Sequence, residues 1–269
     1  MKKKNTNTNF ILGCILLGGI VLFACSGLIF MPYDPEAMDV TAKLAAPSLS
    51  HPFGCDNFGR DIFSRTQSGT LITLLIGTAS VAIGTVGGTL LGALMGYYGG
   101  ITDGILMRIM DVLFAIPSVL LALIFISLFG NGNLNVILSL GIAIIPSFAK
   151  MMRQEFLTQR ELGYVQTAKM LGASDFRILL VHMLPNVMPT FLSCILISFN
   201  NTVLAEAGMS YLGIGVQPPQ ASLGRMLSEA QGYLRSAPFY TVFPGIVLIV
   251  MLFGICLVSE KGRKQNALR

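Results

Sequence analysis

The sequence predicts an all-α membrane protein with six transmembrane helices and both termini in the cytoplasm. Apolar residues make up 53% of its 269 residues and charged residues only 12%, about half the share that is usual in soluble domains. Apolar runs recur along the chain, each close to the length of about 20 residues that a helix needs to cross a bilayer. The basic residues are concentrated in alternate connections between these runs, as in cytoplasmic loops.

Six apolar segments cover most of the chain, in order residues 10–30, 72–97, 111–129, 134–151, 187–204 and 240–258. Basic residues precede the first segment, as in a secretory signal, but its length and the spans behind it favour an uncleaved helix. The predicted organisation is an N-terminal transmembrane helix at 1–31, an extracytoplasmic segment at 32–70, a five-helix core at 71–260 with a cytoplasmic loop at about 150–183, and a cytoplasmic tail at 261–269.

The distribution of Lys and Arg sets the orientation of the chain. With the N-terminus inside, 13 of the 18 Lys and Arg residues lie in cytoplasmic stretches. The net charge of +5 is therefore interpreted as a signal of membrane topology, and membrane lipid rather than nucleic acid is the expected partner of the surface.

The predicted outer segment contains two local features. Residues 61–68 are predicted to form one short helix at the membrane surface, after a proline-rich stretch. His51, Cys55 and Asp56 are residue types that bind metal ions, but a proline and a glycine between the first two prevent a helical i, i+4 pair. A structural turn is favoured, and no metal site is predicted.

Small residues mark one face of the second span. Gly84, Gly88 and Gly92 recur at four-residue spacing, which lets two helices approach closely where lipid offers no hydrophobic driving force. This face is predicted to pack against another helix, either in the same subunit or in a homologous partner.

Two carboxylates fall at or near membrane depth, where an acid is a functional candidate. Asp111 is predicted to pair with Arg108, one helical turn away. Glu206 and Asn200, near the outer end of the fifth span, are predicted as possible residues of a translocation path. The chain contains no G-x-x-x-x-G-K-[ST] motif for nucleotide phosphates, so an enzymatic role and an internal energy source are not expected.

The stretch YVQTAKMLGASDFRILLVHMLPN, residues 164–186, differs from the rest because it is charged and must lie in water. It predicts a helix over 164–171, ended by Gly172, which tolerates positive φ. Ser174 or Asp175 can cap a second helix that runs towards Pro185. A short helix held at both ends is suited to insertion into the groove of a partner protein.

This stretch resembles the cytoplasmic "EAA" signature of ABC importer permeases, a Glu-Ala-Ala group followed by a glycine and then by Leu-Pro. The matching positions are Gln166, Thr167, Ala168, Gly172, Leu184 and Pro185. Further blocks resemble the C-type permeases of dipeptide, oligopeptide and nickel importers, and the similarity covers about residues 30–250. These blocks are HPFGCDNFGRDIFSR, MRIMDVLFAIPS, NVMPTFL, AEAGMSYLGIGVQPPQASLGRMLSEA and SAPFYTVFPG.

The resemblance implies a type I ABC importer permease fold and one half of a translocation pathway in the plasma membrane of a bacterium or archaeon. The implied partners are a homologous B-type permease, two ABC ATPase subunits that bind ATP and Mg²⁺, and an extracytoplasmic substrate-binding protein. No cofactor is expected on this chain, and ATP hydrolysis is expected on the partner subunits. The residues implied to make or shape the ATPase contact are Gln166, Thr167, Ala168, Gly172, Ala173 and Asp175.

The sequence departs from the family pattern at the signature, where Gln166 replaces the glutamate and Thr167 the next alanine. The C-terminal tail also lacks the usual ending of the branch. Short peptides are the favoured substrate and nickel or a metal chelate is the alternative. A secondary transporter or channel, and an intramembrane enzyme, are more distant alternatives.

Overall fold

The structure, a computed structural model, describes the backbone of residues 2–266 and the side chains of residues 8–259. Its helices are α1 Lys2–Ile29, α2 Ile62–Tyr98, α3 Gly100–Phe114, α4 Ser118–Phe129, α5 Asn133–Arg160, α6 Gly163–Met170, α7 Asp175–Tyr211, α8 Leu223–Ala230 and α9 Phe239–Asn266. Within that range, five helices are long and apolar enough to cross a membrane, and α3 with α4 makes a sixth span if counted together. The all-α, six-span prediction is confirmed. The side chains of the predicted tail, 261–269, lie outside the described residues.

Helices α2 and α5 form the centre of the bundle and approach each other through glycines. A Cβ added at Gly88 would lie 2.7 Å from the Cβ of Phe148, and one at Gly92 would lie 2.6 Å from the Cβ of Met152. Gly84 meets Ile144 in the same way. The predicted small-residue contact is therefore confirmed, and it lies within the chain.

The third predicted span is broken. Helices α3 and α4 meet at an angle of 90° across residues 115–117, so the single helix predicted over 111–129 is wrong. Ile116 precedes Pro117, and a residue before proline is disfavoured in the helical region. Pro117 itself takes φ −51° and ψ 131° and begins the new helix direction.

Ion pairs join α3 to α5 near their predicted cytoplasmic ends. Asp103 binds Arg153 with an Oδ1 to Nε distance of 2.5 Å. Asp111 lies 2.7 Å from the Nζ of Lys150, whereas the sequence predicted a pair with Arg108. Helical spacing within α3 predicts only Arg108 as a partner for Asp111. The pair with Lys150 forms because α5 packs beside α3.

The outer segment packs as a set of capped turns. Asp61 accepts a hydrogen bond from the backbone N–H of Ser64 at 2.8 Å and caps α2. Residues 61–68, predicted as a separate surface helix, therefore include the first turns of α2. The other oxygen of Asp61 lies 2.9 Å from His51 Nδ1, and Asp56 binds Arg60 at 2.6 Å.

Helix α7 is longer than predicted. It begins at Asp175 and continues through Pro185 and Pro189 to Tyr211, although the sequence placed a helix end near Pro185. Residues 178–183 form a wider π-helical turn just before this proline. Local π adjustments are one way in which a membrane helix accommodates proline.

Candidate functional site

The coupling segment, defined here as residues 161–177, connects α5 to α7. Helix α6 begins at Gly163, where the backbone N–H groups of Val165 and Gln166 both donate to the carbonyl of Leu162, at 3.0 and 3.3 Å. It ends at Met170, within one residue of the predicted helix. The short helix expected in this segment is therefore confirmed.

One side of α6 is anchored to the bundle. Val165 is 3% exposed and packs in a cluster with Phe156 of α5 and Ile178 of α7. Ala168 and Ala173 are partly buried against the same cluster. Burial of small side chains on this side fixes how far α6 stands from the bundle.

The turn after α6 is a Schellman motif centred on Gly172. This glycine has φ +79°, which a residue with a side chain rarely adopts. Its N–H donates to the Lys169 carbonyl at 3.0 Å, and the Ala173 N–H donates to the Ala168 carbonyl at 3.1 Å. This turn ends α6 and fixes the direction in which the chain leaves the helix.

The start of α7 is held from two sides. The Ser174 hydroxyl accepts a hydrogen bond from the backbone N–H of Arg177 at 3.4 Å and caps the helix. The Tyr97 hydroxyl, at the end of α2, donates to the Asp175 carboxylate at 2.5 Å. The start of α7 is thus hydrogen-bonded to the end of α2.

The opposite side of the coupling segment is exposed and partly apolar. Met170 is 85% exposed, Leu171 82% and Phe176 73%, in a stretch otherwise rich in charge. Gln166 and Thr167 are also exposed; Gln166 donates to the Arg160 carbonyl at 3.2 Å. Sequence reasoning missed the three apolar residues, although large apolar side chains in a water-facing turn were the available signal.

The structure places Glu206 on the buried side of α7. Its Oε1 accepts the hydroxyl of Ser210 at 2.7 Å and its Oε2 accepts that of Thr73 at 3.2 Å. The same two hydroxyls also accept the backbone N–H groups of Val216 and Leu223, at 3.0 and 3.4 Å. Glu206 therefore joins α7, α2 and the loop that leads to α8. The buried Oδ1 of Asn200 has no hydrogen-bond partner among the described residues.

Comparison with known proteins places the chain in a family. Residues 88–260 match the family described as "Binding-protein-dependent transport system inner membrane component". The chain is 38% identical over 231 residues to the glutathione transport system permease protein GsiD of Pectobacterium atrosepticum, covering 86% of this chain and 77% of that protein. It is 35% identical over 245 residues to the probable D,D-dipeptide transport system permease protein DdpC of Escherichia coli K12, covering 90% and 82%.

A further relative and a solved structure agree with this family. The dipeptide transport system permease protein DppC of Alkalihalophilus pseudofirmus is 30% identical over 259 residues, covering 96% of this chain and 85% of that protein. A chain of the MetNI methionine ABC transporter, solved in inward-facing conformations, superposes with a TM-score of 0.59 at 19% identity, over 75% of this chain and 94% of that one. This structural likeness supports the type I fold.

Membership of such a family implies, in general terms, a substrate-binding protein and an ATPase as partners. The matched region runs from the last third of α2 into α9 and includes the whole coupling segment. The chain is a multi-pass membrane protein of the ABC transporter family, and it belongs to the binding-protein-dependent transport system inner membrane components, the permeases of ABC importers.

Proposed function

We propose that this chain forms half of the translocation pathway of an importer for short peptides, in the plasma membrane of a bacterium or archaeon. The observation that carries the proposal is its alignment, over 86–96% of its length, with permeases named for glutathione or dipeptide transport. These names favour peptides over the nickel or metal-chelate alternative. A homologous permease supplies the other half, and a binding protein delivers the peptide from outside.

The coupling segment is the proposed contact with the ATPase, which binds ATP and Mg²⁺ and hydrolyses the nucleotide. Gln166 and Thr167 offer polar groups, and the apolar tip of Met170, Leu171 and Phe176 fits a groove that removes it from water. The small side chains of Ala168 and Ala173 set the distance between α6 and the helix bundle. Gly172 shapes the turn, and Asp175 transmits a movement of the coupling segment to α2 through its hydrogen bond with Tyr97. Gln166 is neutral, so it hydrogen-bonds to the partner without forming an ion pair.

The test is uptake in cells that lack only this chain, with the gene restored in a parallel strain. We expect uptake of a radiolabelled dipeptide to fall and to recover with the restored gene, while uptake of radioactive nickel stays unchanged. Loss of nickel uptake alone would overturn the proposed substrate and leave the assignment as a permease intact.

A further inference from the structure

The break between α3 and α4 lies in a pair of helices that together are long and apolar enough to cross a membrane. Ser118 is 11 residues before the end of α4 at Phe129, which corresponds to about 17 Å of helix. Because α3 runs at 90° to α4, the two helices cannot both lie along the membrane normal, so the pair is either a broken span or a re-entrant loop. Irregular backbone between apolar helices is tolerated in a membrane only where protein covers it or where it lines a water-filled cavity.

Two adjoining cavities open beside the break. One measures about 280 Å³ and the other about 310 Å³, and both are lined by Ser118 of α4 and Asn201 of α7. Ser147 and Ser198 add further hydroxyls to the first cavity. Binding pockets for small molecules usually measure about 300–1,000 Å³, so each cavity is near the lower end of that range, a size that suits a dipeptide.

Asn201 is the unusual residue of this region. It is exposed on α7, ten residues or about 15 Å before Tyr211, and its side chain makes no hydrogen bond within the described part of the chain. Neither does the side chain of Ser118. An unsatisfied amide within this apolar span is unfavourable against lipid, which favours a polar occupant or water in front of it. The residues lining both cavities are uncharged.

We propose that Ser118 and Asn201, beside the break between α3 and α4, form a contact site for the peptide in transit. The inference rests on the proposed peptide-import function. A hydroxyl and a carboxamide together donate to peptide carbonyls and accept from peptide N–H groups, which every peptide offers whatever its side chains. Because the site is neutral, it selects no side-chain charge and holds the peptide weakly enough for release. Glu206 lies on the buried side of α7 and does not line either cavity.

The first experiment measures uptake of a radiolabelled dipeptide by the complete transporter carrying Asn201→Ala or Ser118→Ala. Loss of one net hydrogen bond should lower uptake about three- to tenfold for each variant. Ser127→Ala is the matched control, since Ser127 lies in the same helix, away from both cavities, and bonds to the Ile124 carbonyl. Its uptake should equal that of the parent transporter.

The second experiment replaces the five native cysteines and introduces Asn201→Cys, Ser118→Cys or Ser127→Cys. Thiol labelling by a water-soluble methanethiosulfonate is measured with binding protein and ATP present, with and without saturating dipeptide. The peptide should slow labelling at positions 201 and 118 but not at 127.

Equal labelling with and without peptide, together with normal uptake by the alanine variants, would overturn the contact site. Failure of the parent transporter to take up any dipeptide would instead refute the peptide-import function. The two failures are therefore distinguishable.

Discussion

Removal of one carboxylate from the outer face should loosen the whole outer segment. Glu229 of α8 lies 3.1 Å from Arg60 and 3.0 Å from Arg65 through its Oε2 atom, and 3.1 Å from Arg225 through Oε1. Asp56 lies 2.6 Å from the Nε of Arg60. The side chains of Arg60 and Arg65 are 3% and 0% exposed, so they depend on these two acids for charge compensation. Glu229→Gln leaves two buried cations with one carboxylate.

The magnitude follows from the burial of the network. Removal of one partner from a buried ion pair destabilises a protein by about 3–5 kcal/mol. The Glu229 side chain is 12% exposed, and glutamine keeps an oxygen that accepts a hydrogen bond, so the lower end applies. A change of about 3 kcal/mol corresponds to roughly a 100-fold larger population of the opened outer segment.

Cys55 provides the assay because it lies beside this network. Its thiol is 0% exposed, and burial, with the carboxylates of Asp61 and Asp56, raises its pKa to about 11. It therefore reacts with a maleimide only when the segment opens. In a chain that keeps only Cys55, labelling in membranes should be about 100-fold faster for Glu229→Gln than for the parent.

Two controls define the result that would refute this reasoning. Glu36→Gln makes the same chemical change at an exposed site of the outer segment and should not alter the labelling of Cys55. A chain that keeps only Cys194, buried in α7, reports opening of the bundle and should react at the parent rate. Labelling of Cys55 no faster than in Glu36→Gln would show that the network does not hold the segment.

The other predictions concern the bundle and the coupling segment. Gly88→Val inserts a branched side chain between α2 and α5, where overpacking should lower stability by about 1–3 kcal/mol, measured by thermal unfolding in detergent. Gly104→Ala, inside α3 with open space around it, should not lower stability and should raise it by up to about 1 kcal/mol through the better helix propensity of alanine. Asp103→Asn loses a partly exposed ion pair with α5 and should lower stability by about 1 kcal/mol in the same assay. Unchanged stability would show that the ion pair does not stabilise the bundle. Gly172→Pro and Ala168→Trp should each abolish co-purification of the ATPase and leave membrane insertion normal. Proline cannot adopt the φ of +79° at position 172, and tryptophan is too large for the packed position 168. Normal co-purification by both variants would contradict the coupling role.

Much of the architecture was predictable because it depends on patterns along the chain. Apolar runs locate the spans, since each must match the thickness of the bilayer whatever it packs against. The coupling segment was predictable for a similar reason: Gly172 and Ser174 end one helix and start the next through bonds to near neighbours. The glycine face of α2 was also visible, because its spacing defines one side of a helix.

Contacts between distant parts of the chain were not predictable in this way. Asp111 pairs with Lys150, across two helices, and Glu206 meets Thr73, 133 residues away, so neighbours in sequence gave no sign of either partner. Asn201 lines both cavities beside the break, and no pattern in the sequence favoured it over the neighbouring Asn200. The role of Asn200 in the pathway stays a prediction.

The sequence by itself determined the apolar spans and a short water-facing helix ended by Gly172, because hydropathy, charge and helix-ending residues act locally; the permease family followed from the resemblance of several motifs. Only the tertiary structure decided which polar residues are buried and which face open space. One step along a helix rotates a side chain by about 100°, so the packing of α7 against its neighbours separates Asn201 from Asn200 and Glu206. The same packing, with the 90° bend between α3 and α4, forms the cavities beside the break.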